Sequence, residues 1–169
     1  HRDLHSFPTR RSSDLVDRTS EATVIGDQII ALDSDDPRGY ALKAASLVWR
    51  DPAAAIPVAL AGVELGQQYA PLHAALAVAY NNIGRYQEAL QQGDLAVRLD
   101  PLNATVRRSF SYPLIYTGRY NEAIAQLEQA ISINPNITSP YFELASLYRI
   151  LKQPEMAVAI RSEERRVGK

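Results

Sequence analysis

The chain predicts an all-α solenoid of antiparallel helix pairs, and three observations carry that prediction. The phrase Gly84 Arg85 Tyr86 Gln87 Glu88 Ala89 returns 34 residues later as Gly118 Arg119 Tyr120 Asn121 Glu122 Ala123. The echo holds at the same offset through Ala96 and Ala130, Leu99 and Ile133, and Pro101 and Pro135, so the period belongs to a structural unit. Small residues recur where two helix backbones would have to approach, as at Ala77, Ala89, Gly93 and Ala96.

Taken in order, residues 16–36 read as half a repeat: a helix over Val16 to Asp33, with Ala22 in the small position and Val24, Ile25, Ile29 and Leu32 as its apolar stripe. Asp36 then caps a helix that opens on Pro37, because a carboxylate accepts an orphan N–H and proline has none to lose. The first full repeat, 37–69, carries Tyr40, Ala44 and Leu47 on one face of its first helix. Asp51 and Pro52 repeat the capping device, and Ala55, Gly62 and Leu65 recover the register of the second helix, where Pro57 is expected to bend the chain.

The second repeat, 70–103, aligns His73, Leu76, Ala77 and Tyr80 on one face and Ala89, Gly93, Ala96 and Leu99 on the other. Gly84 closes its first helix, since a left-handed cap carries no Cβ penalty there. The third repeat, 104–137, keeps this pattern and departs from it at Arg107 and at Pro113, an interior proline that either bends the helix harmlessly or kinks it and splays a local pocket beside Arg108 and Tyr112. A partial repeat, 138–160, keeps Tyr141, Leu144, Ala145, Tyr148 and Ala157, with Lys152 in place of the turn glycine.

This 34-residue unit, with its Gly-aromatic turn and small residues at fixed places, resembles the tetratricopeptide repeat. The resemblance implies a right-handed superhelical stack held by nearest-neighbour interfaces. It also implies a concave groove lined by the first helix of each pair. Carried over position by position, it puts Trp49, Asn81, Asn82, Arg108, Tyr112, Tyr116, Phe142 and Arg149 on or near that groove. The same rings could instead pack against the adjacent helix. The family's carboxylate clamp needs a lysine and asparagine network, and the corresponding places hold Ala41, Ala45, Ala75, Arg108 and Ser109.

Both ends are expected to be foreign to the repeat. Arg11 Ser12 Ser13 Asp14 Leu15 can be encoded by CGC TCT TCC GAT CT, and the opposite strand encodes Arg161 Ser162 Glu163 Glu164 and begins Arg165. Residues 1–15 and 161–169 therefore resemble translated sequencing adapter, as in a metagenomic fragment, and are set outside the expected fold.

Residues 16–160 hold 11 Lys and Arg against 15 Asp and Glu, a net of −4 where the whole chain has −1. The basic clusters lie in the excluded ends, so no nucleic-acid footprint is expected. No apolar run approaches the roughly 20 residues of a membrane span. The composition loosely fits a cytoplasmic protein, but with no cysteine the redox compartment is not legible.

No catalytic constellation emerges. His73 is the one histidine of residues 16–160 and reads as an interhelical packing residue, and the glycines fall singly at turns or helix contacts and build no phosphate cradle. Glu88 and Glu122 recur in the first turn of a helix, where a carboxylate favours the dipole. The sequons at Asn103 and Asn136 read as turn and cap residues. No metal, no cofactor and no enzyme activity are expected. The sequence points to a protein–protein interaction scaffold that binds a peptide or partner helix in the concave groove. The alternatives are a regulatory or sensing arm of a larger enzyme or signalling protein, and a structural spacer that makes no groove contact.

Overall fold

A computed structural model describes residues 12–167, with side chains from Ser20 onward. The reading of residues 1–11 and 168–169 as adapter lies outside the described residues. Nine helices follow one another in the described chain: α1 (Ser12–Leu32), α2 (Pro37–Leu47), α3 (Pro52–Leu65), α4 (Ala70–Asn82), α5 (Tyr86–Leu99), α6 (Ala104–Tyr116), α7 (Tyr120–Ile133), α8 (Ser139–Ile150) and α9 (Pro154–Val167). From α2 onward they pair as α2/α3, α4/α5, α6/α7 and α8/α9, and each pair packs on the next. This is an all-α solenoid.

The helix starts follow from local chemistry. Asp36 Oδ1 accepts from the Arg38 N–H at 2.9 Å, Asp51 Oδ1 from Ala54 at 3.0 Å, and Asn103 Oδ1 from Thr105 and Val106 at 3.1 and 3.2 Å. Each bond satisfies a donor that the first helical turn leaves open. Asn136 is different: its own N–H donates to Asn134 Oδ1, and the helix begins three residues later.

The first helices of three successive pairs end in one motif. Arg85 N donates to Tyr80 O at 2.8 Å, Arg119 N to Leu114 O at 2.8 Å, and Gln153 N to Tyr148 O at 2.9 Å, each closing a six-residue loop. The residue before each donor is left-handed: Gly84 at φ 81°, Gly118 at 76° and Lys152 at 58°. Arg85 and Arg119 then pair with Glu88 and Glu122 one turn on, which holds both carboxyls below their usual range through side-chain hydrogen bonds.

The core is distributed along the stack, as nearest-neighbour packing requires. One cluster joins Ala44, Ala55, Ala59, Leu72, Leu76 and Ala89; another joins Phe110, Leu114, Leu127, Leu144 and Leu147. A smaller seam of Ala70, Ala74, Ala96 and Val106 lies between them. A fully buried leucine contributes about 1.5–3 kcal/mol of transfer energy, so each interface is stabilised by its own few large side chains. Pro57 and Pro113 both lie within unbroken helices, Pro57 exposed and Pro113 buried.

One sequence expectation needs correction here. In α1, Val24, Ile25 and Leu32 are exposed, Leu32 to 88 %. The packed face instead runs through Gly26, Ile29 and Ile30, because Gly26 and Gly39 let α1 and α2 approach too closely for a Cβ at either position. Further along, α9 runs on past Ile160 through residues 161–167, and the expected adapter origin of those residues concerns where they come from and not whether they are helical. Those residues are mostly arginine and glutamate, good helix formers that extend an existing helix at little cost.

Candidate functional site

The helices α2, α4 and α6 form a groove whose floor is made of small side chains. Alanines at 41, 45, 74 and 75, with Val48, Val78 and Ser109, line a cavity of about 340 Å³. The small residues recur at helical spacing, which brings the backbones close and leaves a trough above them. Larger side chains rim it: Trp49 at the end of α2, Tyr69 ahead of α4, Arg38 on α2, and Arg108 and Tyr112 on α6.

Trp49 is 55 % exposed, yet its ring meets Tyr112 edge-on at 5.0 Å between centroids. Tyr112 is buried, and its hydroxyl donates to Oε1 of Glu143 on α8. Arg108 Nη1 donates to the same Oε1 at 2.9 Å and approaches the Tyr112 hydroxyl at 2.9 Å. One carboxylate oxygen thus ties α6 to α8. The other, Oε2, is buried without a hydrogen-bond partner among the described residues.

Burial sets the electrostatics of this trio. Desolvation pushes the Glu143 carboxyl up, against the pull of Arg108 and Tyr112. It pushes the Tyr112 phenol well above its ordinary value, with the Glu143 charge adding to the effect. For Arg108 burial acts downward, but Tyr112 and Glu143 outweigh it and the guanidinium stays charged.

Of the eight residues expected at the groove, Trp49, Arg108 and Tyr112 converge on this cavity. The others take different places. Asn82 Nδ2 donates to the Val48 carbonyl at 2.6 Å and stitches α4 to the end of α2. Asn81 is buried, with Oδ1 unpartnered among the described residues. Tyr116 stacks on Tyr86 of the preceding pair at 6.1 Å, and the Arg161 guanidinium covers Phe142 at 5.5 Å. Arg149 is exposed near the end of α8.

Two participants escaped the sequence reading. Arg38 lies one turn before Leu42 on the groove face of α2, a spacing that could have exposed it. Glu143 stands 35 residues from Arg108, one repeat and one residue on, and no local motif marks it. His73 is buried, with Nδ1 at 2.7 Å from Gln92 Oε1 and Nε2 at 2.9 Å from Gln67 O, so it bridges α4 to α5 and to the loop before α4. Among the described residues no three His, Asp or Glu side chains gather as a metal site, and no helix is long and apolar enough to cross a membrane.

Comparison with known proteins matches residues 114–149 to the family described as TPR repeat. A curated relative, the TPR repeat-containing thioredoxin TTL4 of Arabidopsis thaliana, is 35 % identical over 74 residues, 44 % of this chain. The matched stretch is 11 % of that relative's length. The fold is similar to TTC0263, a thermophilic TPR protein of Thermus thermophilus, with TM-score 0.79 at 18 % identity over 89 % of this chain and 84 % of that one. It is also similar to YrrB, a TPR protein solved with an unusual peptide-binding site, with TM-score 0.61 at 18 % identity over 90 % and 79 % of the two chains.

Proposed function

We propose that the chain, whose residues 114–149 match the TPR repeat family, is a tetratricopeptide-repeat protein that serves as a non-catalytic interaction scaffold, its groove between α2, α4 and α6 binding a peptide segment of a protein partner. The observation that carries this reading is the apolar cavity beside an exposed indole. A rigid ring offers contact area at low entropic cost, and the arginine next to it adds directed donors, the combination that dominates partner hot spots. The peptide-binding site of the structurally similar YrrB supports the reading.

A second reading has its own support. The curated relative carries its repeats within a thioredoxin of which this chain matches 11 %. A solenoid that serves as the recognition arm of a longer protein would bind through the same groove.

Selection of a displayed peptide library on the chain tests the proposal, with Ala45→Arg as the counter-screen. Ala45 is exposed and lines the cavity, so an arginine there fills the groove without entering the core. Peptides retained by the wild type and lost by the variant support the groove. Recovery of no peptide, or of the same peptides on both proteins, contradicts it.

A further inference from the structure

The cavity lining carries one sign of charge. It contains Arg38 and Arg108 and neither aspartate nor glutamate, in a chain whose net charge is −1. Each arginine has a carboxylate partner, Asp36 and Glu143, but both partners stand outside the lining. Glu143 is buried while a quarter of the Arg108 side chain is open, so the anchoring carboxylate lies on the protein side of the guanidinium.

That anchoring is one-sided. Only Nη1 of Arg108 is engaged, by Tyr112 and Glu143, and the Nε and Nη2 donors have no partner among the described residues. Nε and Nη2 form the edge of the guanidinium fork that matches a carboxylate with two parallel hydrogen bonds. A guanidinium held by one nitrogen from behind loses little freedom when the other edge is engaged.

The trough runs from Arg38 to Trp49 along α2, which at 1.5 Å per residue is about 16 Å, the span of roughly five extended residues. A chain can therefore lie through it. Resting on the groove reading above, we infer that the groove selects an internal peptide segment in which an Asp or Glu side chain neighbours a bulky apolar one. The carboxylate takes the Nε–Nη2 edge of Arg108. The apolar side chain fills the cavity between Ala45, Ala75 and Val78 and meets the indole of Trp49.

The test uses the full chain and three nine-residue peptide libraries, acetylated at the start. The first is amidated and fixes a central Asp or Glu beside Leu, Phe or Trp. The second is amidated with Asn or Gln in the acidic place, and the third has those amides and a free C-terminal carboxylate. Affinity is read by anisotropy of labelled peptides. Occupancy of the groove is read with unlabelled Leu and Phe members through the emission of Trp49, the single tryptophan of the chain.

The acidic library is expected to bind at least about tenfold tighter than its amide counterpart, the ratio of one charge-assisted hydrogen-bond pair. Added salt should shrink that ratio. Arg108→Lys keeps a cation for Glu143 and loses the fork, so it should fold as the wild type and lose most of the preference. Equal binding of the acidic and amide libraries, with Trp49 responding to both, overturns this inference and leaves the groove standing. So does a preference for the free C-terminus, or a full preference retained in Arg108→Lys. No binding by any library, with Trp49 emission unmoved, overturns the groove reading itself.

Discussion

The ring of Trp49 stands edge-on to that of Tyr112, with centroids 5.0 Å apart and planes at 74°. The contact reaches from the end of α2 to α6, across the groove face of α4, and so braces one wall of the groove against the other. An edge-to-face pair of this kind contributes about 0.5–1.5 kcal/mol beyond its buried area. Trp49→Ala removes this pair together with the buried part of the indole, so it should lower stability by at least that amount and leave the solenoid folded, since the indole is half exposed. Denaturant unfolding followed by far-UV circular dichroism measures it, and loss of the folded state would contradict the assignment.

Tyr112 is the less informative target for binding work. Its hydroxyl serves a buried carboxylate, so truncation leaves Glu143 short of a donor as well as removing a ring. A combined Arg108 and Tyr112 substitution would confound binding with stability for the same reason.

Glu143 should leave a signature in pH. Its folded-state carboxyl is raised above the usual value by burial, so the folded protein holds that proton more tightly than the unfolded chain. The associated stability is fully present below the ordinary carboxylate value near 4.5 and is lost as pH rises through the folded-state value. Glu143→Gln removes this term. The stability of the wild type relative to the variant should then increase as pH falls toward 4.5, and a difference independent of pH would refute it. Glu88 and Glu122 act oppositely: their lowered carboxyls lose their contribution only as pH falls below the usual range.

Lys152 occupies the left-handed turn position that Gly84 and Gly118 fill in the two preceding pairs, at φ 58°. An L-residue there costs roughly 1–2 kcal/mol, against which glycine loses some unfolded-state entropy. Lys152→Gly should therefore stabilise the α8/α9 pair by about 0.5–1 kcal/mol, visible as a higher denaturation midpoint. Gly84→Ala should do the reverse by a similar amount.

Gly93 lies on α5 where a Cβ would press into the ring of Phe110. Phe110 is buried, so the ring has little room to retreat. Gly93→Ala should cost about 1–3 kcal/mol despite the better helix propensity of alanine. A stabilised variant would show that the α5 and α6 backbones stand further apart than the structure has them.

The legible part of this chain is what its local chemistry repeats. Caps at Asp36, Asp51 and Asn103, and turns at Gly84 and Gly118, each depend on residues within one helical turn, so the period exposes them directly. The groove is less legible because its partners are one repeat apart and choose among neighbours. Tyr116 and Phe142 have rings at suitable positions, yet Tyr86 and Arg161 claim them. Glu143 gave no signal, since a carboxylate in an amphipathic helix ordinarily faces water and only its distance to Arg108 marks it as an anchor. The exposed stripe of α1 differs from expectation for a related reason: this helix packs chiefly on α2, and glycines at 26 and 39, rather than the larger apolar residues, set which face it turns.

The most direct measurement is the dissociation constant of the tightest selected peptide for the wild type and for Ala45→Arg, both shown to be folded. The account predicts at least about tenfold weaker binding to the variant, the loss of about 1.4 kcal/mol expected when the cavity is filled. Equal affinity for the two proteins would place the binding surface elsewhere on the solenoid and contradict the groove as its site.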